Sequence, residues 1–176
     1  MKQLEDSSLR DSLTNLYNRH GFYQIATEIY KKCAAEKLKF MIISVDLDGL
    51  KDINASYGNE EGDSAIITVA KALESASTEE DEVIARFEGD AYIVAGICQT
   101  RTYADEFIER FKKFIDVYND KSGKPYTVAA SYGMIKSVPE PEKSIDSFMK
   151  RADELMLAQK SSRHSHRGQY RSKDRS

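Results

Sequence analysis

The sequence predicts a mixed α/β (α+β) domain, a sheet with helices packed against it, and three observations predict it. Apolar residues recur at helical spacing in four separate stretches. Short runs rich in β-branched residues stand between those stretches. Two of these runs, Val83–Phe87 and Ala91–Ile97, are separated only by Glu88-Gly89-Asp90, a connection that suits a β-hairpin.

The elements follow in order. Phe22, Ile25, Ala26, Ile29 and Tyr30 predict a helix from about Arg19 to Glu36. Phe40–Val45 is a continuous apolar run broken only by Ser44, and reads as a buried central strand ending at Asp46. A second helix, from Asn59 or Gly62 to Ser75, turns Ala65, Ile66, Val69, Ala70 and Leu73 inward. After the hairpin, Ala104, Phe107, Ile108, Phe111 and Ile115 mark a third helix. Tyr126–Lys136 alternates as a strand, and Ser144 to Gln159 carries the last helix. Helix, strand, helix, hairpin, helix, strand, helix is the order of a ferredoxin-like layout.

Length and charge bound the rest. At 176 residues the chain suits one domain. It divides as residues 1–10, a linker or helix end; 11–160, the domain; and 161–176, a basic tail. The tail carries five Lys or Arg and one acid, a net of +4, which leaves 21 basic and 28 acidic groups and a net of −7 on the first 160 residues. With Tyr170 as its only large apolar group, the tail buries too little to offset its ordering entropy and is expected to be disordered. Its histidines, His164 and His166, read as part of a solvated basic segment rather than a metal site. Spanning a membrane takes about 20 apolar residues, and none of the runs approaches that. The start is charged and polar, without a secretory pattern. Cys33 and Cys98 lack zinc or redox spacing and read as packed thiols of a cytoplasmic protein.

Several acids fall where strands end. If the first strand and the hairpin are neighbours, Asp46 and Asp90 converge, and two carboxylates with a backbone carbonyl suit Mg²⁺ bound together with phosphate. The plainer alternative is ordinary polar residues at strand ends. Asp46-Leu-Asp48 is not an EF-hand loop, because Leu50 takes a ligand position and Lys51 the required glycine. The usual glycine-rich phosphate cradles are absent.

Five ordered segments nevertheless resemble one family. Asp11-Ser-Leu-Thr-Asn-Leu-Tyr-Asn-Arg19 is similar to the D-x-L-T-G-L-x-N-R opening of the GGDEF domain of bacterial diguanylate cyclases. Asp46-Leu-Asp48-Gly-Leu-Lys51-Asp-Ile-Asn54 resembles its D-x-D-x-F-K-x-x-N segment. Gly58, Gly62 and Asp63 resemble its G-x-x-x-G-D. Arg86-Phe-Glu88-Gly89-Asp90-Ala91-Tyr92 lies on its R-x-G-G-D-E-F signature, and Arg151-Ala152-Asp153 with Lys160 resembles its closing helix.

The resemblance implies a nucleotide-cyclase and polymerase-palm-like sheet, and a homodimer in which each subunit binds GTP with Mg²⁺ or Mn²⁺. The 3′-hydroxyl of one GTP then attacks the α-phosphate of the other, twice, giving cyclic di-GMP. It implies metal on Asp46, Asp90 and the Leu47 carbonyl, and guanine on Asn54 and Asp63. Phosphates would lie on the amides near Gly49, Leu50 and Lys51 and on the Lys160 ammonium. A sensor ahead of the domain is common in the family, and neither a membrane span nor a nucleic-acid partner is expected.

The signature here reads Glu88-Gly89-Asp90-Ala91-Tyr92. Ala91 stands where the family carries an acid, so no catalytic residue is assigned; loss of general-base help alone costs about 10²–10⁴-fold. Glu88 replaces the first glycine, which is unfavourable if that position needs a positive φ. The family's phosphate-binding arginine falls on His164, with Arg163 one position away, and its product-inhibition R-x-x-D reads Glu79-Glu80-Asp81-Glu82. Three readings stay open: a degenerate domain that binds GTP and metal but makes little or no product, an active cyclase, and an interaction module that binds no nucleotide.

Overall fold

The computed structural model describes residues 8–173, with side chains described to residue 163. The elements are α1 (Arg19–Glu36), β1 (Phe40–Leu47), α2 (Leu50–Tyr57), α3 (Asn59–Ala76), β2 (Glu82–Glu88), β3 (Ala91–Ile97), α4 (Tyr103–Lys121), β4 (Ala130–Ser137) and α5 (Ile145–Lys173). The strands form one sheet in the order β2-β3-β1-β4, and every neighbouring pair is antiparallel. That is the ferredoxin-like layout, with β1 central.

Alternation along β1 divides the core in two. Met41, Ile43, Val45 and Leu47 face α2, α3 and α4, where they meet Val69, Leu73, Phe107 and Phe111. Phe40 and Ile42 face α1 and α5, against Phe22, Ile29, Phe148 and Ala152. Because side chains alternate with period two, Ser44 and Asp46 share this second face. Apart from Ser44, β1 is therefore apolar on both faces until its end, where an acid emerges beneath α5.

α5 approaches β4 closely. A β-carbon at Gly133 would fall 2.1 Å from the Ala152 carbonyl and 2.4 Å from the Met156 amide, so only glycine allows this contact. The helix runs on to Lys173, past the Gln159 end expected from the apolar pattern. It thereby takes in residues 161–173 of the segment read as a disordered tail, while 174–176, like 1–7, lie outside the described residues. No proline or glycine interrupts the chain between Ile145 and Arg167, and basic groups near a helix C-terminus are favourable, so the helix continues beyond its apolar stripe.

Two other expectations are corrected. α2 is an additional helix between β1 and α3. β4 begins at Ala130 rather than Tyr126, because Val128 makes its amide and carbonyl bonds with the side chain of Asn119, at 2.9 and 2.8 Å, instead of with a strand.

Candidate functional site

The site gathers at the end of β1. The Leu47 amide donates to the Asp90 carbonyl at 2.9 Å, which ties the tip of the β2–β3 hairpin to this strand end and brings Asp90 beside Asp46. Across the ladder Asp46 pairs with Ala91 on one side and Ser131 on the other. Above it α5 delivers Lys160, whose Nζ lies 2.5 Å from Asp46 Oδ2, with side chains 24% and 13% exposed.

Burial pushes the Asp46 carboxyl above its ordinary value, and the charges of Asp90 and Asp48 add to that, while Lys160 offsets part of it. For Lys160, burial alone would lower the ammonium, but the hydrogen bond to Asp46 and the charges of Asp46, Asp90 and Asp48 hold it above its ordinary value. The lysine therefore gains from the pair, whereas Asp46 loses more by desolvation than the single lysine returns. A further cation at this corner would relieve the carboxylates.

Asp48 is occupied differently. Ser131 Oγ donates to its Oδ1 at 2.8 Å, and Arg163 Nη1 stands 3.3 Å from its Oδ2 while also donating to the Ala130 carbonyl at 2.6 Å. Arg163 thus fastens α5 across the start of β4. The His164 side chain lies outside the described residues.

Gly49 opens α2 in the left-handed region, φ 69°, with no side chain capping the helix. The first amides of a helix lack intrahelical partners and suit an anion. Leu50 and Lys51 lie in this first turn, with Lys51 exposed. The same helix carries Asn54. The chain then reverses at Gly58, where φ 93° and ψ 163° demand glycine, and enters α3. Gly62 leaves room for Asn54: a β-carbon there would sit 1.7 Å from Asn54 Oδ1. Asp63, the next residue of α3, is exposed beside that junction.

At the hairpin, the positive φ falls on Gly89, at 44°, and not on Glu88. The expected strain of a side chain at position 88 is therefore absent, because Glu88 sits in β2 with the turn one residue later. Tyr92 fills its slot more fully than a phenylalanine would. It is buried, its hydroxyl donates to the Ile66 carbonyl at 2.7 Å, and burial raises that hydroxyl well above its usual range.

A frame around the hairpin escaped the site reading. Arg86 Nε donates to the Gly89 carbonyl at 2.9 Å, and its Nη1 reaches both carboxylate oxygens of Asp11 at 3.1 Å. Asp11 also accepts from the Thr14 amide and hydroxyl, at 2.9 and 2.7 Å. Asn15 holds φ 60°, a conformation that explains Gly in the family pattern and Asn here. Asn18 caps α1 by accepting from the Gly21 amide. The opening motif is therefore a buttress for the signature turn, and its asparagines were the legible signal. Cys33 is buried and its thiol is pushed up to about 11, as fits a packed residue.

The donor set can be tested for a metal. Among the described residues no group of three or more His, Cys, Asp and Glu side chains is gathered closely enough to hold an ion by itself. Asp46 and Asp90 supply hard oxygens at a corner short of positive charge, which fits a divalent cation carried in with phosphate rather than one held by a protein cage.

A palm-like sheet with an acidic corner at the end of its central strand defines the class, and comparison names the family. The model of the GGDEF domain of diguanylate cyclases matches residues 8–166, and the chain belongs to that family, the domain of cyclic di-GMP signalling. The chain is 30% identical over 154 residues to diguanylate cyclase DgcP of Escherichia coli, covering 87% of this chain and 45% of DgcP. Against diguanylate cyclase A of Treponema denticola it is 29% identical over 165 residues, covering 90% and 43%. It thus spans about half the length of these curated relatives. Among solved structures, diguanylate cyclase SiaD of Pseudomonas aeruginosa, in complex with its activator SiaC, matches with TM-score 0.79 and 25% identity over 92% of this chain and 61% of SiaD. The coiled coil and GGDEF domain of DgcB from Caulobacter crescentus matches with TM-score 0.79 and 21% identity over 92% and 85%, and shows the fold. Among the described residues no helix is long and apolar enough to cross a membrane.

Proposed function

We propose that this domain binds GTP with Mg²⁺ or Mn²⁺ and turns it into cyclic di-GMP weakly or not at all. One observation carries the reading: Asp46, Asp90 and Lys160 stand together, yet the residue paired with Asp46 across the ladder is Ala91, which offers no acid. Asp46, Asp90 and the Leu47 carbonyl would hold the metal, which when bound supplies charge neutralisation of the phosphates and activation of the attacking hydroxyl. Lys160 and the amides at Gly49, Leu50 and Lys51 would orient the triphosphate, a positioning role that supplies much of what nucleotidyl transfer requires. Asp63 would accept from the guanine N1–H and N2–H₂, with Asn54 beside it in the space Gly62 leaves open. A homodimer, a sensor ahead of the domain and a cytoplasmic setting belong to the same proposal.

A working cyclase is the second reading, favoured by relatives of about 30% identity that are themselves diguanylate cyclases. Incubating the purified protein with GTP and Mn²⁺, and separating nucleotides by chromatography, decides between them. Trace or no cyclic di-GMP is expected; clear multiple turnover would establish the active reading instead.

A further inference from the structure

The signature hairpin contains an irregularity that re-aims one carboxylate. Arg86 pairs with Tyr92, but Glu88 rather than Phe87 pairs with Ala91, so the register shifts by one residue between Arg86 and Glu88. A bulge of this kind turns the residue after it, and bulges next to functional sites commonly redirect a side chain. Val83 and Ala85 face α1 and α5, and regular alternation from them would send Glu88 to the opposite side of the sheet. The bulge cancels that step. Glu88 is instead paired with Ala91 and so shares its face, on the α1 and α5 side, where both line a cavity of about 310 Å³ with Arg19, Ser44, Phe87, Lys150 and Asp153.

Asp46 lies on this face too, paired with Ala91 from the other neighbouring strand. Ala91 is therefore flanked on one face of the sheet by Asp46 on β1 and Glu88 on β2, two strand spacings or roughly 10 Å apart. A methyl group between two acids leaves the space above it open. A glutamate at 91 would instead put three carboxylates in one row, and like charges directly across a ladder are destabilising. The Glu88 carboxylate is exposed, and no hydrogen bond or ion pair engages it among the described residues. It is free to turn toward that space.

We propose that Glu88 supplies, from the neighbouring strand, the carboxylate that Ala91 lacks at the metal and triphosphate corner. This rests on the nucleotide-binding reading above and gives Glu88 a positive role there, where its charge alone would only repel phosphate. Glu88 and Ala91 then form one exchanged pair: the acid has moved one strand over and a small residue has taken its place.

The test is Mn²⁺ titration followed by the electron paramagnetic resonance signal of the free ion, with and without the non-hydrolysable analogue α,β-methylene-GTP. The wild type, Glu88→Gln, Glu88→Gly and the double variant Glu88→Gly with Ala91→Glu are compared. Loss of an acid at a metal site weakens affinity about 10-fold or more, so both single variants should lose analogue-dependent Mn²⁺ binding by about that factor. The double variant should recover it. Glu88 is exposed at the end of β2, so Glu88→Gln should melt with the wild type and the two glycine variants slightly below it, still folded at the titration temperature. Unchanged or tighter Mn²⁺ binding in Glu88→Gln, or no recovery in the double variant, overturns the proposal while leaving nucleotide binding in place. A wild type that binds no analogue overturns the nucleotide reading, and this proposal with it.

Discussion

Lys160 Nζ stands 2.5 Å from Asp46 Oδ2, joining the last helix to the end of the central strand across 114 residues of sequence. Both side chains are largely withdrawn from solvent. Removing the lysine leaves a buried carboxylate with acidic neighbours and no counter-charge. Lys160→Met should cost about 1–3 kcal/mol at pH 7, somewhat less than a fully buried pair. Asp46 is raised in the folded state, so between the unfolded value near 3.8 and its folded value the native protein binds the extra proton and stability falls as pH rises. Without Lys160 the Asp46 carboxyl rises further. The deficit of Lys160→Met should therefore be small near pH 4 and grow toward pH 7, and Asp46→Asn should relieve it. Urea unfolding at the two pH values checks this.

Two glycines should respond in opposite ways. At Gly62 the added methyl meets the end of the Asn54 side chain, which can swing away, whereas at Gly133 it meets the backbone of α5. Gly62→Ala should change stability by no more than about 1 kcal/mol, since alanine also favours the helix. It should lower GTP affinity as Asn54→Ala does, because Asn54 is displaced. Gly133→Ala should cost about 1–3 kcal/mol by overpacking. Thermal melts and GTP calorimetry on the pair separate the two effects.

Acid should loosen the buttress of the hairpin. Burial by itself would raise the Asp11 carboxyl, but the Thr14 hydroxyl and amide and the Arg86 guanidinium outweigh it and hold it below its ordinary value. A depressed carboxylate contributes stability above its unfolded value, near 3.8, that is lost as pH falls through the folded one. Asp11→Asn should be less stable than wild type by about 1–2 kcal/mol at neutral pH, and the gap should close below pH 4. Chemical unfolding across pH 2.5–7 measures it.

Asp63 should carry base choice. A carboxylate accepts from the paired N–H donors of guanine, which adenine does not offer. Asp63→Ala should cut the preference for GTP over ATP by about 10-fold or more, since hydrogen bonds to a charged group are worth roughly that much. Unchanged discrimination against ATP in competition calorimetry would remove Asp63 from that role.

Sequence and structure agree where a pattern is long or redundant. α1 follows a sustained helical period, opens at a capping Asn18, and has the bounds the period predicts. The hairpin followed from one short connection, but its place beside β1, on which the meeting of Asp46 and Asp90 depends, comes from the sheet order. α2 was hidden because eight residues hold only Leu50, Ile53 and Ala55 as aliphatic markers, too few to define a period. The early end expected for α5 has another cause: an apolar stripe reports where a helix is buried, not where it stops. The Arg163 contact with Asp48 and the Arg86 contact with Asp11 were out of reach for a different reason. Each joins residues far apart in sequence, and no local pattern encodes which surface charge meets which. The register shift that turns Glu88 is of the same kind, since alternation alone places that side chain on the wrong face.

Calorimetric titration of GTP into the purified protein, once with Mg²⁺ and once with a chelator, decides whether the corner at Asp46 is a metal-dependent nucleotide site. A domain whose first 160 residues carry −7 should bind a triphosphate only when a divalent ion bridges them. Saturable heat with Mg²⁺ and none with chelator is the expected result. No heat in either titration, or equal binding in both, would contradict a GTP site built on Asp46, Asp90 and Lys160.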